Sequence, residues 1–122
     1  MPLIAEIAVS IVALLQLLFL VLEMILWDRP AGRRITGLDP DYTRKTRKLA
    51  ANQGLYNGFL AAGLMWSLLT GQFAWNLQVF FLGCVIIAGI FGGVTTSRMI
   101  IMVQALPGMI ALILVLLAQS NT

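Results

Sequence analysis

Histidine is absent from this sequence, cysteine occurs once, and charge is scarce. Without histidine the chain lacks the commonest metal ligand, the side chain that titrates nearest neutrality, and the usual base that activates a Ser or Cys nucleophile. The lone Cys84 sits inside an apolar run and has no second cysteine with which to form an intrachain disulfide. Charged residues make up 11% of the chain, where a soluble domain carries about a quarter. So few charges do not cover a water-facing surface. The apolar segments hold no close carboxylate pair, and no glycine-rich phosphate loop joins a strand to a helix. These absences argue against an enzyme, a resident cofactor and a metal site. The net charge of +3 lies beside apolar runs. Nucleic acid is therefore not the expected partner, and anionic lipid headgroups are.

What the sequence has in abundance is apolar side chains, at 60% of 122 residues. Four runs are long enough to cross a bilayer, which takes about 20 residues each. They cover about 3–26, 49–69, 75–94 and 99–118. The first has no basic stretch before it and exceeds the length of a signal-peptide core, so it reads as a retained span. The expected architecture is all-α: one integral membrane four-helix bundle in a single domain, with no room for a separate soluble one.

Between the first two runs lies a polar connection holding Arg29, Arg33, Arg34, Arg44, Lys45, Arg47 and Lys48. Asp39, Pro40 and Asp41 form a helix-start pattern of N-cap, first-turn proline and first-turn acid. The second helix is therefore predicted to begin near Pro40 and run unbroken into the membrane. The one remaining basic residue, Arg98, lies in the third connection. With four spans both basic connections fall on one side. The positive-inside rule then puts the basic loop in the cytoplasm and both termini outside. Trp27 marks the inner interface, and Trp66 and Trp75 the outer one. Arg44, Lys45, Arg47 and Lys48 are expected to lie against anionic headgroups.

Small residues recur every four positions at Gly54 and Gly58, and again at Gly89 and Gly93. In lipid this spacing lets helix backbones approach closely, either within one bundle or between copies in a homo-oligomer. Pro107, inside the last run, should free a carbonyl and kink the helix. Polar residues at membrane depth are costly, so each is a candidate functional residue. Glu23 leads that group. Gln16, seven residues earlier, shares its helical face. Asn52, Gln53, Tyr56 and Asn57 crowd the start of the second run, and Arg98 and Gln104 lead into the fourth. Topology brings these toward the cytoplasmic half, with Gln16 extending the polar track from Glu23 toward mid-membrane.

Leu22-Glu23-Met24 with Trp27, then Ala51-Asn52-Gln53-Gly54-Leu55-Tyr56-Asn57-Gly58, then Val103-Gln104-Ala105-Leu106-Pro107 resemble a family of small bacterial four-helix inner-membrane proteins. That family is classed as a domain of unknown function. The resemblance covers almost the whole chain. It implies that Glu23, Asn52, Gln53, Asn57, Gln104 and Pro107 belong to one shared site or core, and it implies no substrate.

Two functions remain open on these residues. One is a carrier or channel component, oligomeric because four short helices enclose little volume, with Glu23 exchanging protons or cations in a polar pocket. The other is a non-transporting lipid-binding or accessory membrane subunit. There Glu23 is held by Arg98, Asn52 or Asn57 in a packed interior.

Overall fold

An apolar chain in lipid must satisfy its backbone hydrogen bonds internally, and helices do so. A computed structural model describes residues 2–95 and 101–120, and these are helices joined by short turns. Helix α1 spans Leu3–Val21 and passes into a π-helical turn, π1, at Leu22–Leu26. Two short helices follow, α2 at Pro30–Thr36 and α3 at Pro40–Lys45. Then come α4 at Arg47–Leu69 and α5 at Ala74–Thr95. A second π-helical turn, π2, at Ile101–Ala105 leads into α6 at Leu106–Ser120.

Three helices are long and apolar enough to cross a membrane: Leu3–Leu26, Ala74–Thr95 and Met102–Gln119. The protein is an integral membrane protein on this ground. Helix α4 has 23 residues, about 34 Å at a rise of about 1.5 Å per residue. It has the length but is not among the three, because Asn52, Gln53, Tyr56 and Asn57 dilute its apolar character.

The chain packs as two units, Met1–Leu15 with Leu60–Thr122, and Gln16–Phe59. In the first, small and branched side chains meet at helical spacing. Ala5, Val9, Val12 and Ala13 of α1 join Leu64, Leu82, Val85, Ala111, Val115 and Ala118. Lipid tails are as apolar as this core, so close contact rather than water expulsion holds it. Glycine permits that contact. A Cβ on Gly89 would lie 2.7 Å from the Ala105 backbone nitrogen, and one on Gly63 would lie 2.3 Å from the Phe81 ring. Gly93 is also buried. On the outer side of α1, Ile4, Ile7, Ile11, Leu14 and Leu18 are exposed at the spacing of one lipid-facing stripe.

Pro107, in the first turn of α6, has no N–H to give the preceding turn, and its ring would crowd the carbonyl four residues back. The wide turn π2 ends two residues before it and relieves that crowding. In the loop after α4, Phe73 takes the left-handed conformation, φ 62°, while Gly71 does not.

In the second unit, the basic connection is more ordered than the sequence reading allowed. Helix α2 was not expected, although its signals are present. Pro30 stands at its start, and Gly37 closes it at φ 72° with its N–H on the Arg33 carbonyl. The helix expected from Pro40 does begin there, but it is not unbroken. It turns at Thr46 (φ −102°, ψ 7°) before α4 starts. Asp39 is extended at the N-cap without making a side-chain cap, and Asp41 instead pairs with Arg44. Helix α2 folds back on π1. A Cβ on Gly32 would sit 1.8 Å from the Leu26 carbonyl oxygen, which is backbone and has nowhere to go. Gly32→Ala is therefore expected to lower stability by roughly 1–3 kcal/mol, the usual cost of overpacking. Unfolding of the purified variant in detergent micelles measures it, and Gly37→Ala, where the Cβ meets open space, separates packing from the strain of positive φ.

Candidate functional site

Glu23 stands on the π1 turn and is 8% exposed. A π turn inserts an extra residue into a helix and often accompanies a functional side chain. Across from it, α4 presents Gly54, Asn57 and Gly58 on one face. A Cβ at Gly54 would meet Met24 Cγ at 2.7 Å and Glu23 Cβ at 3.0 Å, and one at Gly58 would meet Leu20 Cδ1 at 2.6 Å. The absence of side chains at 54 and 58 draws the two backbones together. That brings Asn57 within reach, and its Nδ2 donates to Glu23 Oε1 at 2.5 Å. Asn57 is itself 7% exposed. The pair thus replaces water with one amide–carboxyl hydrogen bond inside a close helix contact.

Just beyond π1 lies a polar lattice. Asp28 Oδ1 accepts from Thr43 Oγ1 at 2.9 Å and from Arg33 Nη1 at 3.2 Å. Trp27 Nε1 donates to Thr46 Oγ1 at 2.9 Å. Thr43 is fully buried. These three contacts tie α2, α3 and the turn before α4 to the end of the first helix. The sequence reading missed this lattice. Its signal was Thr43 and Thr46, three apart on one face of a stretch read only for its charge. Beside the lattice opens a cleft of about 220 Å³ lined by Met24, Ile25, Trp27, Asp28, Arg29 and Arg47.

The other sequence candidates divide. Gln16 is fully buried. Asn52 and Gln53 are exposed, and so is Tyr56, which meets Phe59 edge-on at 5.5 Å. At about 100° per residue, only positions in phase with Gly54 and Asn57 face inward; Asn52 and Tyr56 point away. Gln104, 8% exposed on π2, belongs to the other unit. Arg98 lies outside the described residues. Arg44, Lys45, Arg47 and Lys48 are all exposed. Among the described residues no group of three or more His, Cys, Asp or Glu side chains could hold a metal ion.

The sequence model of a family of proteins of unknown function, DUF1304, matches residues 10–116, and the chain belongs to that family. No curated protein and no solved structure matches it. The matched region contains Glu23, Asn57 and the polar lattice.

Asn57→Leu leaves a buried carboxyl without its donor and is expected to cost roughly 1–3 kcal/mol, whereas removing both partners together should cost less than the single change. Unfolding of Asn57→Leu, Glu23→Leu and the double variant in micelles closes the cycle. Additive losses would mean that the two side chains do not interact.

Proposed function

We propose that this member of the family is a non-transporting integral membrane protein that binds anionic lipid headgroups in the cleft between Arg29 and Arg47. One observation carries the reading. Neither guanidinium has an ion-pair or hydrogen-bond partner among the described residues, and both line a cleft whose remaining lining is Trp27, the Asp28 carboxylate already held by Arg33 and Thr43, and the exposed apolar pair Met24 and Ile25. A guanidinium presents several N–H donors in a plane and matches a phosphate well. Two of them beside an apolar wall suit a phosphate with an acyl chain attached. Glu23 supports the same reading from the other direction. It is covered and bonded to Asn57, as in a packed interior.

In this account α4 is the fourth span. Its polar start then lies near the interface, with the lattice around Asp28 on the same side. Seven of the eight basic residues fall on 29–48, which favours a cytoplasmic basic end and both termini outside. The resemblance drawn above points to a bacterial inner membrane as the setting.

A carrier or channel role keeps one observation in its favour: a carboxyl on a π turn within an apolar span. Reconstituted protein separates the two. Arg29→Gln with Arg47→Gln is expected to weaken binding to phosphatidylglycerol relative to phosphatidylcholine by about tenfold or more, since each charge-assisted contact is worth roughly 1.5–3 kcal/mol, and the preference should shrink with salt. Glu23→Gln should leave lipid preference intact. A proton or cation flux that Glu23→Gln abolishes would transfer the function to the carrier reading. For topology, reporter fusions after Thr36 and after Gly71 are expected to report opposite sides, with Gly71 outside. The same side for both would remove α4 from the span count.

A further inference from the structure

Asp28 lines the cleft beside Arg29 and Arg47, and its two hydrogen bonds both fall on one oxygen. Thr43 Oγ1 and Arg33 Nη1 donate to Oδ1. The other oxygen, Oδ2, receives no hydrogen bond from a described residue, and the side chain is 22% exposed. An acceptor of full charge is thus left over at the site. A bare carboxylate would repel a phosphate, but Arg33 stands 3.2 Å from Oδ1 and balances that charge. The cleft keeps the surplus of Arg29 and Arg47.

What the lining offers is therefore of two kinds. A guanidinium carries donors and no acceptor, and an ionised carboxylate accepts and does not donate. Trp27 has given its indole N–H to Thr46, so it adds an apolar ring rather than a donor. The complement is a phosphate, whose unesterified oxygens take the guanidinium hydrogens, with a hydroxyl close by that donates to Asp28. At about 220 Å³ the cleft is smaller than the roughly 300–1,000 Å³ that encloses a drug-sized ligand. It holds a headgroup, with the acyl chains outside along the exposed Met24 and Ile25.

We propose that this cleft selects a phosphodiester headgroup that bears a hydroxyl, such as phosphoglycerol, with the phosphate on Arg29 and Arg47 and the hydroxyl donating to Asp28 Oδ2. The inference rests on the headgroup reading above and adds which headgroup is taken. Phosphoglycerol keeps one negative charge and carries hydroxyl donors. An ethanolamine headgroup also has donors for Asp28, but its ammonium cancels the phosphate charge and sets a cation beside two guanidinium groups that no acid neutralises.

The test uses the full-length protein in neutral detergent micelles, titrated calorimetrically with short-chain phosphatidylglycerol, phosphatidylethanol, phosphatidylethanolamine and phosphatidylcholine, and with water-soluble glycerophosphoglycerol. Phosphatidylethanol has the same phosphodiester charge and no hydroxyl. Phosphatidylglycerol is expected to bind roughly tenfold more tightly than phosphatidylethanol, the lower end of what a hydrogen bond to a charged group contributes. Asp28→Asn keeps an oxygen for Thr43 and Arg33 and removes the charged acceptor, so it should bring that ratio toward one. The lipid comparison needs only the unaltered protein and decides the matter even if the variant does not fold. Equal binding of phosphatidylglycerol and phosphatidylethanol, both tighter than phosphatidylcholine, overturns the hydroxyl contact and leaves the anionic-headgroup reading standing. Phosphatidylglycerol no tighter than phosphatidylcholine overturns both. Phosphatidylethanolamine as tight as phosphatidylglycerol, or an unchanged ratio in Asp28→Asn, also overturns the proposal. Weaker binding of glycerophosphoglycerol than of the lipid supports a lipid as the source of the headgroup. Equal binding supports the hydroxyl contact with a soluble phosphodiester as its source.

Discussion

A carboxyl group on a membrane helix has to be covered, and the contact between Glu23 and Asn57 is where this fold meets that requirement. Burying an acid without a partner costs far more than one hydrogen bond returns. A partner on the next helix is useful only if the backbones come close. Gly54 and Gly58 make that approach, since any Cβ there would collide with Met24, Glu23 or Leu20. The π turn at Leu22–Leu26 belongs to the same arrangement. An extra residue in a turn shifts the helical phase by about 100°, so it resets which side chains face α4 just where the acid must point inward.

The basic connection starts from the same π turn. Asp28 follows π1 by two residues and accepts from Thr43 and Arg33, while Trp27 holds Thr46. Asp28 is thereby committed to Arg33, and Asp41 to Arg44. The remaining guanidinium groups that line the cleft, Arg29 and Arg47, have no acid among the described residues to neutralise them. A region with seven basic residues and four acidic ones within 23–48 commits three of its acids, Glu23, Asp28 and Asp41, to internal contacts and leaves a surplus of positive charge. That surplus is the physical basis for reading this end as a surface for anionic lipid.

Much of this was legible in the sequence because the bilayer restricts the choices. Apolar runs of sufficient length had to be helices, and a buried glutamate had to find a donor. Asn57 was one of the partners that depth alone suggested. What the sequence could not separate was Asn57 from Asn52, because both lie near the right depth and only helical phase relative to Gly54 distinguishes them. The run of polar residues on α4 looked like one cluster and is split between two faces, with Asn57 covered and Asn52, Gln53 and Tyr56 exposed. Helix α2 was written in Pro30 and Gly37, but charge drew the reading to a loop.

The central claim is that Glu23 and Asn57 form a closed contact in the membrane. Solid-state NMR in lipid bilayers can measure it directly, by ¹³C–¹⁵N dipolar recoupling between the Glu23 side-chain carboxyl carbon and the Asn57 side-chain nitrogen. The structure, with Nδ2 2.5 Å from Oε1, predicts strong coupling that persists when salt or candidate cations are added. A coupling that is absent, or that disappears on adding a cation, would mean that the carboxyl is open to exchange and that the packed-interior account is wrong.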